Sequence, residues 1–212
     1  MIEKYLNNRL LTLFVIPTIL GSLTVFSFEP FNFTIINFIV LPIFFYLLIY
    51  IKRKSKGVYR KKPYRINLFL FGTCFGFGFY LSGIHWIVNS LTFDENFKIL
   101  IPFGLILIPL FLSIFFSVTT VLAGPFLNLN VASIFLISAS LAFSDYIRAK
   151  ILTGFPWNLW AYSFSWATEF LQILNISGFF VFNTIIITIF VLPAILFFKT
   201  GLGKKILTLS FL

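Results

Sequence analysis

Asp145 and Arg148 stand three residues apart and are followed at once by Thr153, Gly154, Phe155, Pro156 and Trp157, so one short segment joins opposite charges, a turn and an indole. An acid and a base at that spacing can pair on one face of a helical turn. The other chemistry open to the segment is capture of an anionic lipid headgroup by Arg148, with Lys150 as a second cation. Trp160, Tyr162 and Trp166 come next, rings that settle at headgroup depth in a membrane protein, so an interfacial loop is the plainer reading. His85 lies beside Trp86 near the end of an apolar stretch. A histidine there is a functional candidate by default, yet no obvious partner accompanies it and it reads as a hydrogen-bonding residue. Cys74 is the single cysteine, so no internal disulfide forms, and one Cys with one His makes no structural zinc site. It falls within an apolar helix, where a thiolate is disfavoured, and is not assigned as a nucleophile. No catalytic residue, metal or cofactor is assigned.

The elements that must position these residues are membrane helices. The sequence is 59% hydrophobic and 10% charged, with a mean hydropathy of +1.02, whereas soluble domains carry about a quarter charged residues. The net charge of +10 does not point to nucleic acid. Lys and Arg sit mainly in short loops between apolar runs, the pattern that fixes membrane orientation, and no recognisable nucleic-acid fold accompanies them. Lys4 and Arg9 precede the first apolar run as in a signal peptide, but Ser27, Phe28, Glu29, Pro30 and Phe31 give no small-residue cleavage site, so the run reads as a retained anchor.

A crossing needs about 20 apolar residues. That ruler predicts an all-α polytopic helix bundle with six complete spans, at about 10–26, 33–51, 66–91, 99–123, 131–147 and 178–198, and the start of a further span at 206. Pro17 and Gly21 mark kinks in the first. The basic run from Lys52 to Arg65 places its loop in the cytoplasm, with a polybasic patch for anionic lipid or a partner as the alternative. Gly72 with Gly76, and Gly78 with Ser82, are four apart and share helix faces, which lets other helices approach closely. Their spacing is wrong for dinucleotide binding. Asp94, Glu95 and Asn96 form an exposed loop opposite the basic one. The turn at 124–130 should be cytoplasmic although it lacks Lys or Arg. Residues 168–177 are too polar for hydrocarbon and should lie along the surface, and Asn183 is the one amide of the last complete span. A helix stopping in hydrocarbon leaves carbonyls unpaired, so the chain reads as a piece of something longer.

Two segments carry a family resemblance. D-Y-I-R, T-G-F-P-W and then Y-S within residues 145–163, and FGFGFYLSGIHWIVNS at 75–90, resemble the apolipoprotein N-acyltransferase family. The resemblance implies eight membrane helices in a bacterial inner membrane, with residues 145–177 facing the periplasm. It also implies a periplasmic nitrilase-like domain, absent here, whose Glu-Lys-Cys triad takes an acyl chain from a phospholipid donor as a thioester. That chain then passes to the diacylglyceryl-cysteine at an apolipoprotein N-terminus. Substrate-binding residues implied for this chain are Trp86, Asp145, Arg148, Thr153, Gly154, Phe155, Pro156 and Trp157, working in the lipid bilayer. Asp145 stands where the family usually has Glu, Ala149 where Gly is common and Lys150 where an apolar residue is usual, which leaves the roles of Asp145 and Arg148 open. The alternative is a non-enzymatic membrane scaffold or transporter-like subunit. Transport favours paired broken helices with polar residues at mid-depth, and Pro17, Pro102 and Pro109 are matched by no such set.

Overall fold

The computed structural model describes residues 6, 8–57, 64–151, 154 and 156–198. Thr153, Phe155, part of the basic loop and the start of a further span at 206 lie outside the described residues.

Among the described residues, six apolar helices lie in the regions of the expected spans. They are α1 (Leu11–Ser27), α2 (Asn37–Gly57), α3 (Tyr64–Ile84), α4 (Ile101–Ala123), α5 (Val131–Arg148) and α6 (Phe179–Val191). No strand occurs among the described residues. Five helical runs are long and apolar enough to cross a membrane by length and composition: Thr34–Lys54, Tyr64–Thr92, Glu95–Phe126, Val131–Arg148 and Phe179–Phe197. The expected first span, α1, is apolar but shorter than these. Pro17 sits where a π-helical turn, Leu11–Val15, gives way to α-helix, so the ring that cannot donate lies at a change of winding.

α3 occupies the middle, packed most extensively on α4 and α1, while α2 bridges α3 and α6 and α5 bridges α4 and α6. The small residues of α3 explain its place. A Cβ on Gly72 or Gly76 would run into Phe116, Ser117 or Ser113 of α4, and one on Gly78 into the Thr18 carbonyl of α1. Close approach then lets hydroxyls bond across helices. Thr120 Oγ1 donates to the Leu68 carbonyl at 2.8 Å, and Ser22 Oγ to that of Gly78 at 3.2 Å. The remaining space is filled by rings, with Phe75 4.4 Å from Phe44 and 5.2 Å from Phe116 between centroids. α4 contributes least to this core, and its Leu107, Phe111, Ile114, Val118 and Leu122 stay exposed, a face suited to lipid.

The two ends of the bundle differ. At the basic end the turn after α4 is short of cations of its own, and α2 supplies one. The ammonium of buried Lys52 donates to the Leu127 carbonyl at 2.5 Å and to Asn128 Oδ1 at 3.2 Å. At the other end, called the rim below, the structure departs from the expected loop. Helix α3 tightens into a 3₁₀ run, His85–Thr92, and a second 3₁₀ run, Glu95–Leu100, leads into α4. Asp94 and Glu95 are exposed as expected, and the Asp94 side chain caps the second run by accepting from the Asn96 amide at 2.9 Å. Residues 168–177 form two one-turn helices, Thr168–Leu171 and Leu174–Ser177, with no buried residue.

Candidate functional site

The last turn of α5 carries Asp145 and Arg148 inward. Arg148 Nη2 lies 3.1 Å from Asp145 Oδ1, the pairing that the spacing predicts, and both residues are buried, with Arg148 1% exposed. A charge so placed needs every partner it can find. The other carboxylate oxygen of Asp145 accepts from Asn183 Nδ2 of α6 at 3.0 Å, and Arg148 Nη1 donates to the Trp157 carbonyl at 2.8 Å. The guanidinium also stands 5.4 Å over the ring of Tyr80 of α3. Asn183 completes the set by accepting from the Ala161 amide through Oδ1 at 2.9 Å. Helices α5 and α6 thus clamp the segment from Trp157 to Ala161 through its own backbone, with Tyr80 of α3 against the guanidinium.

That segment must first turn back from the end of α5. Gly154 makes the turn with φ +84°, a left-handed conformation that favours glycine, and a Cβ there would meet the Ala149 carbonyl. The chain then lies across the rim. Trp160 is buried, stacked on Phe79 at 5.3 Å and 16°, whereas Trp157 is half exposed and meets Trp86 edge-on at 5.4 Å. Trp166 Nε1 donates to Thr34 Oγ1 at 2.9 Å, and Ser165 Oγ to Glu29 Oε1 at 3.3 Å, which ties the far side to the turn between α1 and α2.

Between these pieces opens a cleft of about 610 Å³, with Phe28, Glu29, His85, Trp86, Trp157 and Tyr162 in its wall. Its size is that of ordinary ligand pockets, about 300–1,000 Å³. Aromatic faces and a few polar atoms can hold a lipid-like molecule here, with apolar parts against the rings and a polar end near Glu29 and His85. Burial pushes the Tyr162 phenol above its ordinary value, against the opposing pull of Arg148. His85 Nδ1 shares a hydrogen bond with the Ser82 carbonyl at 2.9 Å, in keeping with a hydrogen-bonding residue.

Of the residues singled out from sequence, Trp86, Pro156 and Trp157 come together in the cleft wall. Gly154 forms the turn behind it. Asp145 and Arg148 do not line it; they lie in the bundle beneath, and Arg148 instead closes one end of an apolar groove of about 310 Å³ beside Phe111 and Phe115 of α4. Thr153 and Phe155 fall outside the described residues. Lys150 is exposed and Cys74 half buried within α3. Among the described residues no three His, Cys, Asp or Glu side chains are grouped to hold a metal. Sequence reasoning missed Tyr80, Glu29 and the double role of Asn183. Only Asn183 gave a signal, as the lone amide of an apolar span.

Residues 20–192 match the apolipoprotein N-acyltransferase N-terminal domain. The chain belongs to the apolipoprotein N-acyltransferase family. The enzyme of that name from Rhodopseudomonas palustris is 30% identical over 183 residues, which cover 86% of this chain and 33% of that protein. That of Rickettsia prowazekii is 34% identical over 197 residues, 92% of this chain and 37% of its own length. That of Rickettsia bellii is 36% identical over 119 residues, 56% of this chain and 24% of its own. The chain spans about a third of the length of the curated relatives it matches. The segments 75–90 and 145–163, which together with residues 25–31 supply most of the cleft wall, lie inside the region matched by the apolipoprotein N-acyltransferase domain. Its apolar helices and its family together make the protein membrane-bound.

Proposed function

We propose that this chain is the membrane half of an apolipoprotein N-acyltransferase of a bacterial inner membrane, with the rim and residues 145–177 toward the periplasm. The full-length protein transfers an acyl chain from a phospholipid to the N-terminal diacylglyceryl-cysteine of a lipoprotein. Both partners in that reaction carry acyl chains, and the cleft's work is to receive them. The single observation that supports this reading is the meeting of Trp86 and Trp157 at the mouth of a rim cleft, since both come from the segments that carry the family resemblance. Orientation follows from charge. Lys52, Arg53, Lys54 and Arg65 gather at the opposite end, and basic loops stay in the cytoplasm. Within the cleft the rings supply flat apolar contact at headgroup depth. Asp145 and Arg148 act as positioning residues, because they hold the backbone of Trp157 beneath the cleft. Gly154 and Pro156 lead the rim segment toward Trp157, and Thr153 and Phe155 are assigned to substrate binding by the motif they share with these residues.

Acyl transfer by the full-length protein tests this. Trp157→Ala and Trp86→Ala should each lower kcat/KM by about tenfold or more, the loss typical of an aromatic anchor that a ligand covers. Trp157→Phe should retain most activity. Normal rates in both alanine variants would refute the cleft as the lipid site.

A further inference from the structure

The rim cleft holds more than apolar surface. Glu29, in the turn between α1 and α2, brings a carboxylate to its wall, and His85 brings an imidazole from the end of α3. Glu29 Oε1 accepts from Ser165 Oγ at 3.3 Å, which tethers the side chain to the rim segment, and the carboxylate forms no ion pair among the described residues. His85 Nδ1 lies 2.9 Å from the Ser82 carbonyl. That oxygen can only accept, so Nδ1 carries the proton and Nε2 of the neutral ring is an acceptor. Trp86 Nε1 is engaged with the Gly83 carbonyl at 3.2 Å, so this indole offers the cleft ring surface. Its plane meets that of Trp157 at 75°, and the two rings form a corner. No Lys or Arg stands among the described residues of the wall, and the adjoining positions 152, 153 and 155 are Leu, Thr and Phe, which bring no charge. Arg148 lies beneath, already paired with Asp145.

We infer that Glu29 and His85 form a binding site for a primary ammonium group within the rim cleft, an inference that rests on the cleft being the lipid site. A primary ammonium brings one positive charge and three N–H donors in a small volume. The Glu29 carboxylate meets the charge and accepts one N–H, His85 Nε2 accepts another, and the indole faces of Trp86 and Trp157 attract the cation further. Other headgroups fit less well. An anionic one meets a carboxylate and no cation in the wall, and a quaternary ammonium has the charge but no N–H for either acceptor. Both reactants of the proposed transfer can bring the group, as the ethanolamine of a phospholipid headgroup or as the protonated α-amine of the diacylglyceryl-cysteine.

Acyl transfer by the full-length protein separates the two sources. The donors are phosphatidylethanolamine and phosphatidylglycerol with identical acyl chains, the acceptor is one diacylglyceryl-cysteine peptide, and KM is measured for each. For a headgroup ammonium, Glu29→Gln should raise KM for phosphatidylethanolamine about fivefold, the scale of one exposed charge contact, without raising that for phosphatidylglycerol or lowering kcat. Glu29→Asp should restore part of the loss. His85→Phe, which keeps a ring and removes the acceptor, should shift the same KM less. For a peptide ammonium, Glu29→Gln should instead raise KM for the peptide with either donor. An equal rise for both lipids, or no change in any KM, would overturn the inference. If Trp86→Ala and Trp157→Ala still lower kcat/KM, that result leaves the cleft standing as the lipid site. Normal rates in both alanine variants would remove the cleft, and this site with it.

Discussion

The guanidinium of Arg148 donates to the main-chain carbonyl of Trp157, 2.8 Å away. The charge is therefore bound to the backbone of the residue whose ring faces the cleft, and the ring's position depends on a side chain that no ligand in the cleft touches. One ion pair and one amide in the bundle set where an indole at the rim can be.

Removing Arg148 should be costly. Arg148→Met leaves the Asp145 carboxylate buried with only Asn183 beside it, a loss of about 3–5 kcal/mol by analogy with other broken buried pairs. Arg148→Lys keeps the charge but has no fork to reach both Asp145 and the Trp157 carbonyl, and should fall between. The double variant Asp145→Asn/Arg148→Met should be more stable than Arg148→Met alone. Thermal unfolding in detergent measures all three.

Asn183→Leu removes an acceptor from the Ala161 amide and a donor from Asp145 at once, at about 1–3 kcal/mol for each buried group left unsatisfied. The local effect should exceed the global one. Hydrogen exchange should quicken at the Ala161 amide while that of α3 changes little.

Gly78→Leu should push α1 from α3, because the Thr18 carbonyl already stands where a Cβ would go and backbone cannot yield cheaply. Gly104→Ala meets only the end of the Val88 side chain and should be tolerated. Unfolding temperatures of the two variants compare a backbone clash with a side-chain one.

Sidedness can be read by labelling. With Cys74 replaced by Ala, a cysteine at Trp157 and one at Arg53 should react with a membrane-impermeant maleimide from opposite faces of sealed vesicles. Reaction of both from one face would contradict the proposed orientation.

Much of the bundle was legible in the sequence because hydropathy and small-residue spacing act locally. Gly72, Gly76 and Gly78 announced close approach, although not that two would face α4 and one α1. The Asp145 and Arg148 pair was legible too, since three residues make one helical turn. Its inward direction was not, because the partners that stabilise it, Asn183 and the Trp157 carbonyl, arrive from elsewhere in the fold. The meeting of Trp86 with Trp157 was equally hidden, as it depends on how the segment after Gly154 crosses the rim. Element ends were hard for a related reason. The runs 85–92 and 95–100 carry polar residues that read as loop, yet 3₁₀ turns satisfy their backbone at the rim.

The claim that the rim cleft walled by Trp86 and Trp157 receives lipid is tested most directly by crosslinking the full-length protein in membranes with a phospholipid that carries a photoreactive group in its acyl chain. Peptide mapping should place the label in residues 82–86 and 156–165, and Arg148→Met should remove it from the second segment. Label spread evenly along the exposed face of α4, with no enrichment at the rim and no change in the variant, would contradict the account.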